Sequence, residues 1–173
     1  MVEITRLPHD EFIGGPAVRI GIFLSIFNVH LNRAPAESRV IALRYSPGEF
    51  LDARNPQSAI RNENTWIGLE EESPPTTADH RGASVPGRCP RRMVVRQISG
   101  AIARRIVCDL RPGEVLARGQ KFGMIKLGSR TELIIPDSDD LTIEVKIGRK
   151  IKAGTTVMAR YVAKPQAALI PNP

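Results

Sequence analysis

Gly113-Glu-Val-Leu-Ala-Arg-Gly119-Gln-Lys-Phe122 returns further along the chain as Gly148-Arg-Lys-Ile-Lys-Ala-Gly154-Thr-Thr-Val157, with both glycines at the same spacing. Leu116 matches Ile151 and Phe122 matches Val157, so each copy reads as turn, apolar residue, turn, strand. Outward from this repeat the same punctuation continues. Gly and Pro number 14 each and fall between short β-branched runs, the pattern of a mainly β chain with few short helices. Ile20 to Phe27 is apolar on both alternating faces, which predicts a strand buried on both sides. Val40 to Tyr45, Trp66 to Leu69, Met93 to Ile98 and Glu132 to Pro136 are further strand candidates, and Gly100 to Cys108 reads as a short helix or strand. Residues 73–92, which include Ser73-Pro74-Pro75 and Pro86-Gly87, have almost no core-forming side chains and predict a long surface loop inserted in a single domain.

The 173 residues carry a net charge of +7, with 42% hydrophobic and 25% charged residues, which excludes a wholly disordered or fibrous chain. Cys89 and Cys108 are too few for a disulfide scaffold and lack the Cys-x-x-Cys spacing of a structural zinc, so no metal is expected. Met1-Val2-Glu3-Ile4-Thr5-Arg6 has neither the basic stretch nor the apolar core of a signal peptide. Ile20 to Phe27 is far shorter than the roughly 20 residues of a spanning helix, so no transmembrane helix is expected. The positive charge suits an anionic partner, either nucleic acid or an acidic membrane surface. Aromatic residues at 5% argue against single-stranded nucleic acid, because stacking platforms need rings.

The repeat resembles the biotinyl or lipoyl module, in which two hairpin-like halves face each other, and implies a β-barrel or sandwich. The Lys tripeptide of its carrier version is not visible. The stretch Gly119-Gln-Lys-Phe-Gly-Met-Ile-Lys-Leu-Gly128-Ser129-Arg130 resembles the processing site of the phosphatidylserine decarboxylase family in its short form. Ordered matches lie upstream: Phe23-Leu-Ser-Ile-Phe-Asn28-Val-His30-Leu-Asn32-Arg33-Ala-Pro35, Tyr45-Ser-Pro47-Gly48-Glu-Phe50, and Gln97-Ile-Ser-Gly100-Ala-Ile-Ala103-Arg104-Arg105-Ile-Val-Cys108.

This resemblance implies that the Gly128–Ser129 bond cuts itself, leaving residues 1–128 and 129–173 as two fragments bound to each other. Ser129 would become a pyruvoyl group, a ketone that accepts a substrate amine and serves as an electron sink, so no external cofactor or metal is needed. The implied reaction is decarboxylation of phosphatidylserine to phosphatidylethanolamine, by an enzyme held peripherally at the cytoplasmic face of an anionic membrane. A homo-oligomer is compatible with the sequence, and a nucleic-acid partner is not expected. Family members usually carry a Pro-Ala-Asp-Gly-like segment just before the strand that Val2-Glu3-Ile4 resembles, and its Asp is implicated in self-cleavage. The alternative to the active decarboxylase is an unprocessed, catalytically inactive lipid-binding homologue, on the ground that this upstream Asp segment is missing.

Of the three histidines, His9 follows Pro8 in a polar turn and His80 lies in the Pro-rich insertion, so both read as surface residues. His30 follows a predicted strand, where a side chain is held rigidly, and the family match makes it the acid and base on the substrate side. Asn28 and Asn32 read equally as a hydrogen-bonded turn or as substrate ligands. Arg33 or Arg130 can grip a lipid phosphate or carboxylate through a bidentate fork. Arg88, Arg91, Arg92 and Arg96 read as a solvated face, with contact to anionic lipid as the functional alternative.

Overall fold

The computed structural model describes residues 2–72, 90–102, 105–125 and 129–162. Among them are twelve strands and one short helix, the mainly β chain that the glycine and proline punctuation predicts. In order these are β1 (Val2–Asp10), β2 (Gly15–Leu24), β3 (Leu31–Arg33), β4 (Ser38–Ser46), α1 (Ser58–Arg61), β5 (Asn64–Glu71) and β6 (Arg92–Ile98). They continue with β7 (Ile106–Cys108), β8 (Val115–Leu116), β9 (Lys121–Ile125), β10 (Ser129–Pro136), β11 (Leu141–Ile143) and β12 (Ala159–Tyr161).

Seven strands form one antiparallel sheet in the order β1-β2-β10-β6-β5-β4-β8, open at both ends. A three-stranded sheet, β3-β9-β7, and the pair β11-β12 complete the structure. Strand alternation sends Val18 and Ile20 of β2, Leu133 and Ile135 of β10, Val95 of β6 and Ile67 and Leu69 of β5 to one face of the large sheet. There they join Phe122 of β9, Leu110, Leu116 and Val145 in a single apolar core. Each fully buried side chain such as Ile67 contributes about 1.5–3 kcal/mol, and Ile67→Ala would cost about 2–5 kcal/mol. The opposite face has a thinner apolar cover of Ala17, Val94 and Ile134, with Phe12 and Trp66 meeting edge to face at 4.8 Å.

One strand differs from its sequence reading. The Ile20 to Phe27 run is strand only through Leu24, and the strand starts earlier, at Gly15. Ile26 and Phe27 are exposed in the turn that follows, because Asn28 closes that turn onto Ser25 and takes the chain out of the sheet. His9 is exposed as expected, although it lies in β1 and not in a turn. The backbone of the repeat agrees in its two copies: Gly113, Gly119, Gly148 and Gly154 all have φ between 78° and 92°, where a glycine is favoured. Its last apolar position does not agree, since Phe122 is core and Val157 is exposed. Most of the 73–92 insertion, with His80, Arg88 and Cys89, lies outside the described residues.

Candidate active site

β10 lies in the middle of the large sheet, between β2 and β6, and Ser129 is its first residue. Ser129 pairs with Leu24 and Thr131 with Ile22 across β2, while Thr131 pairs with Gln97 across β6. Ser129, Thr131, Leu133 and Ile135 therefore share the core face, and Arg130, Glu132 and Ile134 share the other. Over the core face, β3 pairs with β9, and the His30 carbonyl accepts the Ile125 amide at 3.2 Å. This fixes His30 beside the first residue of β10.

The His30 ring is buried, with Nδ1 3.1 Å from Ser129 Oγ and Nε2 2.9 Å from the Ser25 carbonyl oxygen. A carbonyl oxygen only accepts, so Nε2 carries the hydrogen. In the neutral ring Nδ1 then has a free lone pair and accepts from the Ser129 hydroxyl. The arrangement is that of a base facing a hydroxyl nucleophile, with the far side of the base oriented by a third group. That third group is held in turn by Asn28, whose Oδ1 accepts from the Ser25 amide at 2.9 Å and the Ser25 hydroxyl at 3.1 Å. Ser129 itself is fully buried. Gly128, with Lys126 and Leu127, lies outside the described residues.

Asn32 sits one step along the same face. Its Nδ2 donates to Thr131 Oγ1 at 2.8 Å, and its Oδ1 accepts from Gln97 Nε2 at 2.8 Å, with all three side chains buried. Gly123 of β9 faces Asn32 and has to be glycine, because a Cβ there would lie 2.7 Å from both Gln97 Nε2 and the Val107 carbonyl. Arg33 points toward the repeat: its Nη1 donates to the Gly119 carbonyl at 2.8 Å, and its stem packs against Gly154. It joins the turns of the two repeat copies.

Arg130 faces the other way. It pairs with Glu132 at 2.9 Å and Glu3 at 2.8 Å, and Arg96 pairs with the second oxygen of Glu132 at 2.9 Å. Burial works against the Arg130 charge, and the two carboxylates more than offset it, so the guanidinium pKa is raised. Glu132 is fully buried beneath these partners. The reading of Arg96 as part of a solvated face is corrected here: β6 turns it inward to this carboxylate, and its Nη2 donates to the Ala59 carbonyl at 2.8 Å. Arg91 and Arg92 pair with Glu71 and Glu70, and Arg91 also lies over the Tyr161 ring at 3.7 Å. Among the described residues there is no group of three His, Cys, Asp or Glu side chains placed to hold a metal ion.

A family model described as phosphatidylserine decarboxylase matches residues 3–159. The chain belongs to the phosphatidylserine decarboxylase family. It is 50% identical over 161 residues to a phosphatidylserine decarboxylase proenzyme of Rhodopirellula baltica, covering 93% of this chain and 60% of that one. It is 42% identical over 160 residues to the proenzyme of Pelobacter propionicus, covering 92% and 64%. For the proenzyme of Salinibacter ruber the identity is 38% over 160 residues, covering 92% and 63%. The chain thus spans less than two thirds of the length of these three curated relatives. No solved structure matches it significantly. The span matched by the phosphatidylserine decarboxylase model takes in both His30 and Ser129.

Four residues of this site were not singled out from the sequence of this phosphatidylserine decarboxylase homologue. Gln97 and Thr131 each interrupt an apolar alternation, Met93-Val95-Gln97 and Thr131-Leu133-Ile135, and a polar residue at a core-facing strand position was the available signal. Glu132 interrupts the other face in the same way. The Ser25 carbonyl had no signal, since every residue carries one.

Proposed function

We propose that this chain is the catalytic part of a pyruvoyl-dependent phosphatidylserine decarboxylase, a carboxy-lyase that matures by cutting itself between Gly128 and Ser129. The observation that carries the reading is the 3.1 Å approach of His30 Nδ1 to Ser129 Oγ, with Nε2 tied to the Ser25 carbonyl. His30 Nδ1 takes the hydroxyl proton as Ser129 Oγ attacks the Gly128 carbonyl carbon, and the peptide nitrogen leaves that carbon as the ester forms. Loss of the Ser129 α-proton then expels the Gly128 carboxylate. Water finally replaces the residue 129 nitrogen, which departs as ammonia and leaves a ketone. Full burial of Ser129 suits this intramolecular step, which needs no diffusing reactant beyond water.

The residues present fit the group so formed, because His30 stays beside position 129 and Asn32 and Thr131 keep a hydrogen-bonded wall next to it. The pyruvoyl group supplies, when present, an electrophilic ketone and an electron sink for the loss of carbon dioxide. His30 then holds and returns the proton at the substrate carbon that loses its carboxylate. Asn28, Asn32, Arg33 and Arg130 serve in this reading as positioning residues, since each has at least one polar atom engaged by the protein. The fragments 1–128 and 129–173 remain together because β10 is an interior strand, paired with β2 on one side and β6 on the other. Peripheral attachment at the cytoplasmic face fits the charge of +7, and among the described residues no helix is long and apolar enough to cross a membrane. Incubation with phosphatidylserine vesicles should release carbon dioxide and yield phosphatidylethanolamine. Equal release by Ser129→Ala would overturn the assignment.

A further inference from the structure

The two edges of the large sheet differ in character. Ser129 opposes Leu24, the last residue of β2, and Arg130 opposes Ile98, the last residue of β6. The segments that leave the sheet at these two points carry Ile26, Phe27 and Val29 after β2, and Ile102 after β6. All four are exposed, Phe27 by 91%. The connection entering β5 beside Ile98 adds Phe50 and Ile60, exposed as well. From Leu24 to Val29 the chain has no charged residue, and in the β4–β5 connection Glu49 pairs with Arg61 and Asp52 with Arg54.

At the other edge, where β10 ends, the surface is charged. Arg6 pairs with Asp137, Arg91 with Glu71, Arg92 with Glu70 and Arg39 with Glu72.

We propose that the rim formed by Ile26, Phe27, Val29 and Ile102 inserts into the interfacial layer of a lipid bilayer and sets the Ser129 edge of the sheet against it. The inference rests on the decarboxylase reading and deepens it by naming the surface that meets the lipid. Three observations favour a bilayer over a protein partner. The side chains stand on two segments that leave the sheet, Ile26, Phe27 and Val29 after β2 and Ile102 after β6, and not on a strand face, the form that penetrates a soft layer. In the flanking connection Glu49 is paired with Arg61 and Asp52 with Arg54, which lowers the cost of approaching hydrocarbon. The rim also borders the candidate reactive residue, where a substrate anchored by two acyl chains has to be delivered without leaving its bilayer.

The test is partition of the protein onto vesicles of phosphatidylcholine and phosphatidylglycerol, which present an anionic surface without the serine headgroup. Phe27→Ser and Ile102→Ser should each weaken partition, Phe27→Ser by about tenfold or more, as removal of one inserted aromatic side chain implies. Val115→Ser, at an exposed apolar position on the charged edge, should leave partition unchanged. Unchanged partition in Phe27→Ser, or equal loss in Val115→Ser, would overturn the proposal. So would a shift of Phe27→Ser from dimer to monomer in solution with vesicle partition intact, which would give the rim to a second copy. Activity on dispersed short-chain phosphatidylserine is read separately: its absence with partition intact would overturn the decarboxylase reading and leave the docking surface standing.

Discussion

The two faces of β10 hold opposite kinds of polar chemistry one residue apart. On the core face, Ser129 and Thr131 meet His30 and Asn32 through hydrogen bonds that involve no carboxylate or guanidinium. On the other, Arg130 and Glu132 join Arg96 and Glu3 in a charged network around a fully buried carboxylate. Strand alternation alone separates them. The difference teaches how a central strand can be both anchored and reactive. The ion network locks its register, while the core face leaves the Ser129 proton to a single base oriented by the Ser25 carbonyl.

The largest effect that tests this division comes from Ser129→Ala. With no hydroxyl to attack, cleavage and turnover should both be abolished on gels and in carbon dioxide assays, while the melting temperature stays near that of an uncleaved chain. His30→Ala should slow cleavage and turnover by about 100-fold or more, the usual contribution of a positioned base, with little loss of stability. Glu132→Gln should do the reverse. Removing one partner of a buried pair costs about 3–5 kcal/mol, read by denaturant unfolding, whereas cleavage should persist in the folded fraction. If Glu132→Gln instead slowed cleavage as much as His30→Ala at unchanged stability, the two faces would not be separate. Asn32→Ala should cost about 1–3 kcal/mol, because Gln97 Nε2 and Thr131 Oγ1 lose their buried partners. The smallest effect concerns Cys108, whose thiol pKa is raised chiefly by burial. Its alkylation at mildly alkaline pH should be slower than that of a free thiol and should accelerate on unfolding.

These two faces also mark what could be read from the chain itself. Val40 to Tyr45, Trp66 to Leu69 and Met93 to Ile98 all lie within strands, because β-branched runs bounded by turn residues carry their own register. Ile26 and Phe27 misled, since an apolar pair reads as core whether it is buried or placed on a turn, and only the Asn28 bond to Ser25 decides. His30 and Ser129 stand 99 residues apart in the chain, so their meeting was legible only through family resemblance. Arg96 read as part of a solvated face because the strand alternation that turns it inward to Glu132 depends on which face the core occupies.

The most direct test of the central claim is an intact-mass time course of protein expressed from its full reading frame, wild type beside His30→Ala. The wild type should resolve into a fragment ending at Gly128 and a second one, residues 129–173, with no free amine at its start. His30→Ala should remain chiefly as uncut chain over the same interval. Cleavage of His30→Ala at the wild-type rate would contradict the assignment of His30 as the base for Ser129.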